Sequence, residues 1–241
     1  MTLLRTLTAL AGLCLAAGLQ AQTPAQDAAI RKNLSERLQG MPKIDEISRT
    51  PVEGLFEVRI GPDLLYTNAD ASYIVQGHLI DTRTKRNLTE ERLEKLSAID
   101  PASLPQADAI TFVRGNGKRK LVVFADPNCG YCKRFERDML KVSDITVQLY
   151  LLPILGGDSP EKSRNVWCAK DRGQAWLDLM VEGKPTPKAA ASCDSAAVAR
   201  NAELARKLRI TGTPTLVFAN GKRVPGALPV AQVEQLMAEA R

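Results

Sequence analysis

Histidine is almost missing from this chain: His78 is the only one among 241 residues. A mixed Cys/His zinc centre therefore lacks ligands at close spacing. Haem attachment at Cys129-Gly130-Tyr131-Cys132 is excluded, because residue 133 is Lys and not His. Aromatic residues make up 5% of the chain, and no block of Lys and Arg is interleaved with them. The net charge of +6, or +5 without Arg5, thus reads as a solvated surface and not as a nucleic-acid face. Internal repeats and low-complexity tracts are absent. Beyond the N-terminus no apolar run approaches the ~20 residues that span a bilayer.

What is present is an ordinary globular composition, 44% hydrophobic and 25% charged, at a length that suits one or two domains. Residues 1–21 read as a cleaved signal peptide: Arg5 is the positive start, Leu7 to Leu19 the apolar stretch, and Leu19-Gln20-Ala21 the small-residue cleavage site before Gln22. A lipid anchor through Cys14 is the weaker reading, since Cys14 lies inside the apolar run. Cleavage leaves four cysteines, Cys129, Cys132, Cys168 and Cys193, an even number suited to an oxidising compartment. Three connectivities are open. Proximity favours Cys129 with Cys132, which leaves Cys168 with Cys193.

Periodicity divides the mature chain in two. Apolar residues recur at helical spacing over Ala25–Leu38. Three strand-like runs follow, Leu55–Ile60, Leu64–Tyr66 and Tyr73–Ile80, with His78 on the surface of the third. This first domain, residues 22–82, is too small to bury much core alone. It either packs on the rest of the chain or pairs with a second copy. Residues 83–105 read as a linker: a polar stretch, a helix from Leu88 to Ile99 capped by Thr89, then Pro101 and Pro105. In residues 106–241, strands are expected at Ile110–Val113, Lys120–Ala125 and Ile145–Leu152. A helix after Cys129 should turn Phe135, Met139 and Leu140 inward. Further helices are expected at Ser163–Met180, Ala196–Leu208 and Val230–Ala240, with a hairpin of Thr215–Phe218 and Arg223–Val224. The order strand, helix, strand around the cysteine pair makes a βαβ unit.

Thiol–disulfide chemistry needs an exposed thiolate of low pKa and a second thiol within bonding reach. Cys129 follows a buried strand and opens a helix, where backbone N–H groups and the helix dipole favour a negative sulfur. Lys133 and Arg134 add positive charge, and Gly130-Tyr131 leaves room for a substrate chain. Cys132 shares the inward face of Phe135 and Met139 and is expected to be the buried, resolving partner. An inert disulfide is the bland alternative, but strand, motif and helix stand in the order that redox chemistry requires. Trp167 and Trp176 read as packing. Asp126 reads either as tuning the site or as a turn-former.

Asp126-Pro127-Asn128-Cys129-Gly130-Tyr131-Cys132, together with Gly212-Thr213-Pro214, resembles the thioredoxin superfamily. Trp167-Cys168-Ala169-Lys170-Asp171, Ala191-Ser192-Cys193-Asp194 and Tyr73-Ile74-Val75-Gln76-Gly77 sharpen this to the bacterial periplasmic disulfide isomerases of the DsbC/DsbG type, over nearly the whole mature chain. Gly130 favours the DsbC side, because DsbG-like members typically carry Pro there. The resemblance implies an α+β chain: a cystatin-like dimerisation domain, a linker helix, and a thioredoxin-fold catalytic domain with a helical insertion. It implies catalytic Cys129 and Cys132, substrate contacts from Thr213, Pro214 and Tyr131, a cis Thr213–Pro214 bond, and a structural Cys168–Cys193 disulfide. No cofactor or metal is required. The implied partners are a second copy, misfolded secreted proteins, and a membrane electron donor that keeps the pair reduced. A buried Asp that thioredoxin carries six residues before its first cysteine is replaced here by Val123, so a thioredoxin-like proton relay is not expected. The competing functions are a reductase of oxidised single cysteines, a dimeric chaperone and a monomeric oxidase.

Overall fold

The computed structural model describes residues 24–240. The predicted signal peptide lies outside the described residues. The chain separates into two compact units that meet in sequence between Thr82 and Arg83.

In the first unit, helix α1 (Pro24–Arg37) buries Ile30 and Leu34. Strands β1 (Glu46–Arg49), β2 (Leu55–Ile60), β3 (Asp63–Asn68) and β4 (Ile74–Val75) form an antiparallel sheet in the order β1-β2-β3-β4. The alternation read in β2 puts Phe56 and Val58 into a core with Ile44, Ile47 and Leu65. The third expected strand is a correction. Only Ile74 and Val75 pair with β3, opposite Thr67 and Tyr66. Upstream, the turn holds the chain: the Tyr73 N–H donates to Asn68 Oδ1 and Thr67 Oγ1 donates to the Tyr73 carbonyl. Downstream, Gly77 has φ +153°. His78 therefore sits outside any strand, between β4 and the two-residue β5 (Ile80–Asp81). Strand β1 was not foreseen, because Glu46-Ile47-Ser48-Arg49 carries a single apolar residue.

The second unit opens with β6 (Arg86–Asn87) and α2 (Leu88–Leu96). The cap is Asn87 and not Thr89: Asn87 Oδ1 accepts the Glu90 N–H, and Thr89 is buried inside the first turn. The segment read as a linker also supplies core, since Ile99 and Leu104 are buried among residues of this unit. Five strands follow, β7 (Ile110–Arg114), β8 (Arg119–Ala125), β9 (Ile145–Leu151), β10 (Thr215–Phe218) and β11 (Arg223–Pro225), in the order β11-β10-β8-β9-β7. Strands β8 and β9 are parallel, joined through α3 (Gly130–Met139) as the βαβ reading requires, and the other pairs are antiparallel. Strand β8 is buried on both faces. Leu121, Val123 and Ala125 meet α3 and α7 (Val230–Glu239) residues such as Phe135 and Val233, while Val122 and Phe124 meet Tyr150, Ala205 and Ile210 on the other side.

Two further expectations are corrected. Leu140 is exposed and not inward, because α3 ends at Met139 and the Cys132–Phe135–Met139 stripe ends with it. The single helix expected at Ser163–Met180 is two, α4 (Ser159–Trp167) and α5 (Arg172–Leu177), followed by a π turn over Asp178–Glu182. Asp171 makes the break: its side chain accepts the Gln174 N–H and starts a new helix. Cys168 caps α4 and is bonded to Cys193, 25 positions later in sequence and ahead of α6 (Ala196–Lys207). Closing a loop of that size stabilises the folded chain by ~3 kcal/mol.

Candidate active site at the thiol pair

Strand β8 runs straight into the site. After Ala125 the chain turns, with the Cys129 N–H donating to the Asp126 carbonyl at 3.1 Å. Cys129 then caps α3: its Sγ accepts the Cys132 N–H at 3.3 Å, and its carbonyl accepts the Lys133 N–H at 3.0 Å. One first-turn N–H thus aims at the sulfur, as the sequence position requires. Cys129 and Cys132 are both free thiols. Burial, reinforced by the Cys129 sulfur, pushes the Cys132 thiol far above its ordinary value.

The facing wall comes from 84 residues away. The Cys129 thiol donates to the Thr213 carbonyl at 3.2 Å, and the Thr213–Pro214 bond is cis. Register explains the meeting. Thr215 pairs with Phe124, so Pro214 stands at the end of β8 where the thiol turn begins. The Pro214 carbonyl accepts the Gly226 N–H at 2.7 Å, and Thr215 Oγ1 donates to the Gly212 carbonyl at 2.8 Å, which fastens the segment on both sides. This cover has a consequence that the sequence did not foresee: Cys129 is only 4% exposed. A Cβ at Gly130 would meet no atom within 4 Å, so the space over the helix start is open. Tyr131 is largely exposed and lines a groove of about 460 Å³ with Leu228 and Pro229.

Val123 is buried in β8 where thioredoxin has its Asp, and two other buried carboxyls lie nearby in sequence. Asp126 accepts the Asn128 N–H, the Ser159 hydroxyl and the Leu155 N–H. Glu136, one turn after Cys132, was not singled out from sequence. Its Oε1 accepts the Trp176 indole N–H at 2.8 Å, and the Arg114 guanidinium lies 4.0 Å from Oε2. No local signal marks Glu136, since its partners are 22 and 40 residues away and helical polarity at that position reads as surface. Trp167 and Trp176 both serve packing, and Arg172 stacks over the Trp167 ring at 3.8 Å.

Burial raises the Glu136 carboxyl above the ordinary glutamate range. The unfolded chain then releases this proton at lower pH than the folded one. Stability from the protonated acid is full below about 4.3 and is lost as pH rises through the native value. Glu136→Gln keeps an acceptor for Trp176 and cannot ionise. The melting temperature of the native protein minus that of this variant should therefore fall between pH 4 and pH 8. A rise over that interval would mean that Arg114 holds Glu136 ionised.

Residues 106–241 match the thioredoxin-like domain family, and residues 21–90 match the disulfide bond isomerase protein N-terminal domain. A probable thiol:disulfide interchange protein DsbC of Bordetella pertussis is 44% identical over 89% of this chain and 75% of its own. The thiol:disulfide interchange protein DsbC of Escherichia coli K12 is 32% identical over 89% of both chains. Among solved structures, a disulfide interchange protein from Neisseria gonorrhoeae aligns with a TM-score of 0.54 at 40% identity, covering 57% of this chain and 98% of that one. The free thiols of α3 thus stand in a fold and among relatives devoted to thiol exchange, and on both counts this chain is a thiol–disulfide isomerase that belongs to the DsbC family.

Proposed function

We propose that the chain rearranges incorrect disulfides of secreted proteins, with Cys129 as nucleophile and Cys132 as resolving thiol. The Cys129 thiolate attacks one sulfur of a client disulfide, forming a mixed disulfide and releasing the other client sulfur as a thiolate. A further client thiol attacks the mixed disulfide and frees Cys129, leaving the client with a new pairing. When rearrangement stalls, Cys132 attacks instead. The client then leaves reduced, and the enzyme carries a Cys129–Cys132 disulfide that a membrane electron donor must reduce. The backbone of Thr213, beside Pro214, aligns the client as an extended strand, and Tyr131 contacts it from the helix side. The observation that carries this reading is the asymmetry of the pair. Cys129 receives the helix N–H, whereas burial holds Cys132 protonated.

Residues 22–82 would form the dimerisation domain and 83–105 the link to the catalytic residues 106–241. The apolar edge strand β4, with Tyr73, Ile74 and Val75 exposed, supports pairing with a second copy. The periplasm is the matching compartment: a signal peptide is read at 1–21, and among the described residues no helix is long and apolar enough to cross a membrane. A DsbG-like reductase of single oxidised cysteines is less favoured, because both named relatives are DsbC proteins and residue 130 is Gly.

Alkylation of the reduced protein at pH 6 tests the assignment. The thiolate is the reacting species, so Cys129 should be labelled at least about tenfold faster than Cys132. Faster labelling of Cys132 would reverse the roles.

A further inference from the structure

An aspartate at the cap position of a helix ordinarily accepts an N–H of its own first turn. Asp158 holds that position on α4 and makes no such bond. Both of its carboxylate oxygens are engaged elsewhere. Oδ1 accepts Asn128 Nδ2 at 2.7 Å, and Oδ2 lies 3.1 Å from Lys162 Nζ. Lys162 Nζ in turn donates to Asn128 Oδ1 at 2.7 Å. The three side chains close a ring, and both ends of the Asn128 amide are taken up in it. The Asn128 amide and the Lys162 ammonium hold the Asp158 carboxyl below its ordinary range, so it stays ionised at neutral pH.

An ion pair between exposed side chains is commonplace and contributes little. This one converges on the residue that immediately precedes Cys129. The Asn128 N–H donates to Asp126 Oδ1 at 2.7 Å, and the Cys129 N–H donates to the Asp126 carbonyl at 3.1 Å. The thiol turn is thus tied from within by Asp126 and from outside by α4. Helix α4 is anchored at its far end as well. Cys168 is bonded to Cys193, the Trp167 indole N–H donates to the Asp194 carbonyl at 3.1 Å, and the Arg164 guanidinium donates to the Ala189 and Ala190 carbonyls. Lys162 therefore grips Asn128 from a helix whose far end is fastened independently of the thiol turn.

We propose that Asn128 and Lys162 are positioning residues for Cys129: Lys162, supported by Asp158, clamps the Asn128 side chain and so fixes the turn that presents the attacking sulfur. This rests on Cys129 being the nucleophile. Neither residue needs to touch the client. A displacement of about 1 Å at a reacting group can cost ~100-fold in rate, so a clamp one residue from the sulfur acts on the attack itself. It also acts on the thiolate. The Cys129 sulfur accepts the Cys132 N–H at 3.3 Å only while the turn holds it at the helix end, and that bond favours the charged form.

The test uses the full mature chain, reduced, with two uncharged probes, so that loss of the Lys162 charge cannot act by steering the probe. Iodoacetamide reads Cys129 labelling across pH. 2,2′-Dipyridyl disulfide reads attack: Cys129 forms a mixed disulfide with one half and releases the other as pyridine-2-thione. Asn128→Ala and Lys162→Met should each slow attack about tenfold at pH 7 and move the labelling profile to higher pH. The double variant should be no slower than Asn128→Ala alone, because both substitutions remove one contact. Arg164→Ala loosens α4 at its far end; it should lower the melting temperature and leave both the rate and the profile in place. Lys162→Met alters a half-exposed side chain and decides the matter if Asn128→Ala does not fold. Single variants with native rates and an unmoved profile would overturn the proposal. So would a double variant clearly slower than Asn128→Ala, or an Arg164→Ala as slow as Lys162→Met, since the pair would then act separately or through the fold alone. Native protein labelled first at Cys132 would overturn the nucleophile assignment and this inference together; native labelling at Cys129 with unaffected variants overturns only the inference.

Discussion

Cys129→Ser should lower thiol–disulfide exchange by roughly a thousandfold, because an uncharged hydroxyl at neutral pH replaces the attacking thiolate. Cys132→Ser should behave differently. Cys129 keeps its helix N–H environment, so the variant still attacks a client disulfide. It lacks the sulfur that clears a stalled mixed disulfide, so covalent enzyme–client adducts should accumulate. Clients with a spare thiol can still resolve the adduct, and rearrangement of scrambled ribonuclease should therefore persist in part. Non-reducing electrophoresis reads the adducts, and recovery of ribonuclease activity reads the rearrangement. Exchange retained by Cys129→Ser, with none in Cys132→Ser and no adduct, would reverse the assignment. The contrast follows from geometry: two buried cysteines one helical turn apart differ because only Cys129 caps the helix and accepts its N–H, while Cys132 lies within the helix.

Val75→Lys should yield a monomer that has lost about tenfold or more of its activity on scrambled ribonuclease while still reducing a small disulfide. Strand β4 is a two-residue edge whose Tyr73 and Val75 are 74% and 55% exposed, and a lysine there opposes edge-to-edge pairing at little cost to the fold. The thiol site lies wholly in the second unit, which has its own cores on both faces of its sheet. Small-disulfide reduction needs only that unit. Rearranging a multi-disulfide client needs the client held while Cys129 samples its pairs, and two subunits offer more apolar surface than one. Sedimentation and the two assays decide it: a dimeric Val75→Lys, or a monomer with undiminished isomerase activity, would refute the dimer reading. A truncation aimed at the same question should cut after Thr82. Removing residues to about 100 would delete α2 and Ile99, whose N–H donates to the Gly221 carbonyl and whose side chain is buried in the second unit.

Much of this was legible in sequence where the signal is local. The alternation of Leu55–Ile60 gave β2, and the continuous apolar run of Lys120–Ala125 gave a strand covered on both faces. Two cysteines spaced by Gly130-Tyr131 after such a strand placed the thiol pair on a helix start. Local reading failed where a short polar contact overrides periodicity. Asn87 and not Thr89 starts α2, Asp171 splits the helix expected at Ser163–Met180, and the Asn68–Tyr73 turn with Gly77 cuts the third strand to two residues.

The place of the thiol pair at a helix start and the strand–helix–strand frame around it were written in consecutive residues, because side-chain periodicity and the helix-end chemistry act over a few positions. Only the tertiary structure decided what faces that pair. Thr213 reaches Cys129 because β10 pairs with β8 in one register, Glu136 is buried because Trp176 packs on it 40 residues later, and Asp126 gains Leu155 and Ser159 because β9 returns parallel to β8. Each is a contact between segments far apart in sequence, whose energy comes from sheet pairing and shared burial, and no local pattern in either segment encodes its partner.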